Sequence, residues 1–135
     1  EQPQPRPEGG RILVAWSAAG GAVPAAEHIQ GIASASAAGF WSFEAATDVL
    51  ARASLGQIVR VLESAQKTGR QIAVLHLLAH GSTAGSTFGL VLDGDSGPVV
   101  VDAAMLRQQL APFASMVRLV VLSACDTGNA GSLDN

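Results

Sequence analysis

A three-layer α/β fold around a mostly parallel sheet is predicted by three features of the sequence. Residues 71–79 (QIAVLHLLA) form an almost uninterrupted apolar run, as expected of a central parallel strand covered on both faces by helices, and 117–123 (VRLVVLS) is a second apolar run of strand length. Helical segments with recognisable start and stop signals alternate with such runs. The 135 residues, 48% hydrophobic and 14% charged, are enough for one domain with a true core and too apolar for a disordered chain.

Taken in order, residues 1–10 hold three prolines and two glycines among polar neighbours and read as a flexible leader, leaving 11–135 as the domain. Residues 11–16 (RILVAW) read as a buried first strand that ends in the turn 18–21 (AAGG). Pro24 suits the first turn of a helix that carries Ile29 and Ile32 inward and stops near Gly39. Residues 40–45 (FWSFEA) read as the second strand, which completes a β-α-β unit. Ser54 with Gln57 three positions on forms a capping-box pattern, and Leu55, Ile58, Leu62 and Ala65 share one face of the helix before Gly69 ends it. The apolar run 71–79 is the third strand, with His80 and Gly81 at its C-terminal end. Residues 88–92 and 98–101 flank Asp93-Gly-Asp-Ser-Gly as a small hairpin, and Asp102 caps a helix through Met105, Leu106 and Leu110. Residues 117–123 form the fourth core strand, leading to Ala124 and Cys125, and the rest has the composition of a loop.

The composition also excludes function classes. A net charge of −3, with eight scattered basic residues, four Phe, two Trp and no Tyr, leaves no electrostatic or stacking footprint for nucleic acid. No apolar run approaches the roughly 20 residues that cross a bilayer. One cysteine cannot form an internal disulfide and no secretory signal is present, so the expected compartment is the cytoplasm.

Parallel strands gather their C-terminal ends on one edge of the sheet, where ligands bind. His80 and Cys125 both fall at such ends, and their separation of 45 positions is enough for a right-handed crossover that sets their strands side by side. A thiol with a pKa near 8.5 is scarcely ionised at neutral pH, whereas a neighbouring imidazole accepts its proton and later protonates a leaving amine. Backbone N–H groups in tight turns at His80-Gly81 and 126–128 are candidate donors to a tetrahedral oxyanion, and Gly81, without a Cβ, admits a substrate backbone.

The segments LHLLAHG and VRLVVLSACDTG resemble the CHAT domains, which group with caspases, separases, gingipains and legumains as caspase-like (clan CD) peptidases. The resemblance runs from about Arg11 to the end of the chain, and the 45-residue separation is close to the roughly 50 of caspases. It implies a caspase-like α/β/α sandwich, a regulated cysteine endopeptidase with His80 as catalytic histidine and Cys125 as nucleophile, and an oxyanion hole from the amides of Gly81 and Cys125. No cofactor is implied. The implied partners are a protein substrate, a regulatory or sensor module of a larger bacterial signalling or defence protein, and the rest of the peptidase domain. Caspase-like sheets have six main strands, and four precede the end of this sequence, which leaves the apolar edge of 117–123 for another segment to cover.

Ser123 lines the specificity pocket by analogy with legumains, or is simply a strand-end residue. Asp126 belongs to a pocket for a basic residue, steadies the histidine, or serves the turn at Thr127-Gly128. His76, inside its strand, reads as a packed, hydrogen-bonded residue outside the dyad, and His28 as a solvated surface residue. The Asp93 loop lacks the glutamate of a calcium loop, the turn 18–21 lacks phosphate-binding fingerprints, and no G-x-S-x-G elbow or zinc-ligand spacing occurs. Two other function classes remain: a catalytically inactive caspase-like adaptor, and a flavodoxin-like binding domain with its ligand at the turn 18–21.

Overall fold

The computed structural model describes residues 10–37, 39, 41–84 and 87–125. Its element order is β1 (Arg11–Trp16), α1 (Ala25–Ala37), β2 (Val49–Ala51), α2 (Leu55–Thr68), β3 (Ile72–Ala84), β4 (Thr87–Leu92), β5 (Val99–Asp102), α3 (Ala103–Leu110), a short 3-10 turn (Ala111–Phe113) and β6 (Leu119–Cys125). The strands form one six-stranded sheet. Four of them, in the order β2-β1-β3-β6, are parallel, while β4 pairs antiparallel with β3 and β5 antiparallel with β4. No helix among the described residues is long and apolar enough to cross a membrane.

The register fixes where the hairpin lies. His80 pairs with Cys125 of β6 and also with Val91 of β4. A strand residue has one neighbour per edge, so β4 runs on the edge opposite β6, continuing the line of β1 where β1 stops at the Trp16–Leu78 pair.

Crossover handedness sorts the helices into two layers. The connection from β1 to β2 moves outward one way, whereas β2 to β3 and β3 to β6 move the other way, so right-handed crossovers place α1 on one face and α2 and α3 on the other. The cores agree. Leu75, Leu77 and Ala79 of β3 pack with Ile58, Leu62, Leu106 and Phe113, while Val74 packs with Ile12, Val14 and the half-buried Ile29 and Ile32 of α1. The α2 layer is the thicker: α2 buries Ile58, Leu62 and Ala65, whereas α1 has no fully buried residue.

The local signals act as their chemistry requires. Ser54 accepts from the Gln57 N–H at 3.1 Å while the Gln57 side chain accepts from the Ser54 N–H at 3.0 Å, and Gly69 closes α2 in the left-handed conformation. Asp102 caps α3 through the Met105 N–H at 2.9 Å. The second strand is displaced from its expected place: residues 41–47 form a bridge and turn, with Ser42 paired to Arg11, and β2 starts at Val49. The cause is Asp48, whose buried carboxylate accepts from Arg11, Arg70, Thr47 and the Glu44 N–H. That network folds the chain back before β2 begins. Residues 1–9 of the expected leader lie outside the described residues, and Gly10 is buried.

Candidate active site

β3 does not end at His80. It runs on to Ala84, because past the end of β1 its edge is taken over by β4. Gly81 is therefore a residue inside a strand and not in a tight turn, paired with Leu90. The space left by its missing Cβ is used by Phe88, whose ring carbons would lie 2.6 and 2.8 Å from a Cβ built there. Gly81 thus accommodates an aromatic ring, and Phe88 itself is 56% exposed beside the site.

The parallel ladder between β3 and β6 pairs Leu78 with Ser123, Ala79 with Ala124 and His80 with Cys125. Neighbouring strands lie about 4.8 Å apart, so the backbones of His80 and Cys125 stand side by side. Both positions sit at the edge where β1 and β2 also end, which is the C-terminal edge of the parallel strands.

His80 is 8% exposed and its Nε2 lies 2.9 Å from the carbonyl oxygen of Ala22. A carbonyl only accepts, so Nε2 carries the hydrogen and Nδ1 is the basic nitrogen of the neutral ring. The loop 17–24 holds that carbonyl in place. Ser17, fully buried, donates to the Asp93 carboxylate and accepts from the Ala19 N–H at 3.1 Å, and the Asp93 N–H bonds to the Ala53 carbonyl at 3.0 Å. Gly21 rests against the ring: a Cβ there would lie 2.6 Å from His80 Nε2. The turn 18–21 is thus occupied in supporting His80 and in packing Gly20 near Val91.

Below His80 on the α1 face is a second polar group of residues. His76 stands in register between Val14 and Val121, and its Nε2 lies 3.0 Å from the Ser123 hydroxyl. The ring of His28 meets that of His76 edge to face, with centroids 5.9 Å apart. Burial, and next the charge of His28, hold the His76 pKa below its usual 6.5. His76 is thus packed and hydrogen-bonded as expected, whereas His28 is half-buried against it and is not a solvated surface residue. Ser123 lies inside β6, which extends two residues further to Cys125. Asp126 and the turn 126–128 lie outside the described residues. Among the described residues no group of three or more metal-ligating side chains occurs.

Sequence reasoning brought His80 and Cys125 to one edge and missed what steadies His80. The contribution of Ala22 is a backbone carbonyl, which no residue type announces. Ser17 and Asp93 are 76 positions apart and belong to no local pattern. Only the paired glycines of 18–21 carried a readable signal, that of a sharp turn.

A family model described as CHAT domain matches residues 10–135. No curated protein matches the chain.

Proposed function

Since the chain belongs to the CHAT domain family, a caspase-like and peptidase-related group, we propose that it is the catalytic part of a regulated cysteine endopeptidase working through Cys125 and His80. The observation that supports this reading is the register: the backbone of the lone cysteine lies directly beside a buried histidine whose tautomer is set by Ala22.

In this mechanism His80 Nδ1 takes the Cys125 proton, and the sulfur forms a bond to the carbonyl carbon of the scissile peptide. The Ala22 carbonyl accepts from Nε2–H throughout, which steadies the imidazolium once it forms. Electron density displaced onto the carbonyl oxygen is met by the amides of Gly81 and Cys125, the donors that the family resemblance implies. Collapse of the intermediate breaks the C–N bond, His80 returns its proton to the leaving amine, and water then hydrolyses the thioester by the same proton path. Ser123 and Asp126 remain candidates for the pocket that receives the substrate side chain.

The edge of β6 supplies the argument for a partner. Among the described residues its outer side is unpaired, with Leu119 and Leu122 half exposed. Beside it, Leu106, Leu110, Val117, Val120 and Leu122 line an apolar groove of about 510 Å³ on the α2 and α3 face. A further parallel strand on this edge requires a right-handed crossover, which sets its helix over that groove. The occupant is the remainder of the peptidase domain, from the same protein or a cleaved second chain. Its assembly with a sensor module makes the whole an effector in bacterial signalling or defence, acting on a protein substrate.

The test of the activity is cleavage of candidate protein substrates by the whole protein, followed by mass spectrometry. Cys125→Ala and His80→Ala are expected to lower cleavage by at least about a thousandfold, the order lost with a member of such a catalytic unit. Full activity in either folded variant overturns the dyad. Leu122→Asp, which puts a charge into the groove, is expected to lower the melting temperature of the whole protein; an unchanged melting temperature leaves that face open to solvent.

A further inference from the structure

His76, Ser123 and His28 come from three elements, β3, β6 and α1, and meet on the face that leads up to His80, yet proton transfer at the dyad makes no use of them. We propose that His76 is a positioning residue for the nucleophile: by bonding Ser123 it pins the register of β6, and so keeps Cys125 beside His80. This rests on the reading of Cys125 as the nucleophile.

Register is the quantity at risk in β6. Side chains alternate faces along a strand, so a slip of one residue sends every side chain to the opposite face, and a slip of two keeps the face but changes the partner. Leu119, Val120, Val121 and Leu122 are interchangeable apolar residues that discriminate weakly between such registers. Ser123 breaks the uniformity. In the observed register its hydroxyl reaches His76 at 3.0 Å, whereas a one-residue slip turns it from the α1 face and leaves the imidazole against apolar groups. A slip of two brings another residue to the place of Ser123 and likewise loses the bond. Because Cys125 is one pleat repeat beyond Ser123, any register that breaks this bond also removes Cys125 from its place beside His80.

The surroundings keep His76 suited to that task. In register it is flanked by Val14 of β1 and Val121 of β6, and the titratable group that faces it is His28 of α1. The edge-to-face contact of the two rings restrains the His76 plane. Burial and the charge of His28 favour the neutral imidazole.

The experiment uses the whole protein with Ser123→Ala, His76→Val, the double variant and His76→Gln, whose amide retains a hydrogen-bonding reach toward Ser123. Backbone hydrogen exchange of residues 119–125 is measured alongside kcat and KM for peptide cleavage. Ser123→Ala and His76→Val are each expected to speed exchange in β6 and to lower kcat by about five- to tenfold, the scale of one lost hydrogen bond, with little change in KM for His76→Val, which leaves the Ser123 hydroxyl in place. The double variant is expected to be no worse than either single one, and His76→Gln to recover most of the loss. Wild-type exchange and kcat in Ser123→Ala, additive losses in the double variant, or no recovery with His76→Gln overturns the proposal. Exchange requires no catalysis, so a protein without peptidase activity refutes the enzymatic reading while the exchange data still decide the pin.

Discussion

Gly21→Ala is the sharpest probe of how the loop 17–24 controls His80. At Gly21 φ is +148°, in a region that residues with a Cβ rarely adopt, and a Cβ there would lie 2.6, 3.1 and 3.3 Å from Nε2, Cε1 and Cδ2 of the imidazole. An ordinary contact of about 3.5 Å or more requires the loop and the ring to separate by roughly 1 Å. The ring is 8% exposed and cannot swing into solvent, and its 2.9 Å bond to Ala22 does not survive such a shift. Backbone strain of about 1–3 kcal/mol, with about 1 kcal/mol for the lost hydrogen bond, gives an expected destabilisation of about 2–4 kcal/mol. A 1 Å misplacement of a catalytic group costs about a hundredfold in rate, so kcat/KM of the folded variant is expected to fall by that order. Urea denaturation and peptide cleavage measure the two effects separately. Gly20→Ala is the control: φ there is +87°, but the added Cβ meets Val91 at 3.5 Å and does not touch His80, so stability falls while activity per folded molecule stays. Wild-type midpoint and wild-type kcat/KM in Gly21→Ala would refute the claim that this loop sets the histidine.

Two further perturbations test the scaffold. Asp48→Ala removes a side chain that is 4% exposed and leaves Arg11 and Arg70 without their partner; since these arginine side chains are 30% and 46% exposed and rehydrate, the expected loss is about 3 kcal/mol, at the low end for a broken buried pair. Urea denaturation checks it, and a loss well below 1 kcal/mol would mean that the carboxylate does not hold the segment before β2. Acid should weaken the fold through His76: its folded pKa lies below the ordinary 6.5, so between the two values the unfolded chain binds more protons, and stability complete above about pH 6.5 is lost as pH falls through the folded value. Denaturation midpoints from pH 4 to 8 are expected to show a shallower fall in His76→Gln, and identical slopes in the two proteins would contradict the assigned cause.

What was legible in the sequence was governed by local chemistry. The capping box of Ser54 and Gln57, the Gly69 stop, the Asp102 cap and the hairpin around Asp93 are each written within a few residues, and each appears in the fold. The apolar run 71–79 announced a buried strand, 117–123 announced a strand that forms but buries no described residue of β6, and the crossover rule brought the strands that carry His80 and Cys125 together. The misplaced second strand shows the limit. Residues 40–45 are rich in aromatic side chains and look like strand, but Asp48 draws in Arg11 and Arg70 from 37 and 22 positions away, which no local window contains. The extension of β3 past His80 has the same origin, since Gly81 and the residues after it carry no strand signal and are extended because β4 pairs with them. His80 was singled out by its position at the end of an apolar run, whereas its contacts with Ala22 and Gly21, and that of His28 with His76, come from backbone geometry and tertiary packing.

The central claim, that His80 acts on Cys125, is tested most directly by the rate at which a small electrophile alkylates Cys125 in the whole protein from pH 5 to 9, in wild type and in His80→Gln. An isolated thiol reacts in step with its ionisation near pH 8.5, and a paired histidine extends reactivity to lower pH. The account predicts wild-type alkylation at pH 6–7 faster than in His80→Gln by at least about tenfold, with the variant following the profile of an ordinary thiol. Superimposable profiles, in two proteins of equal folded content, would contradict it.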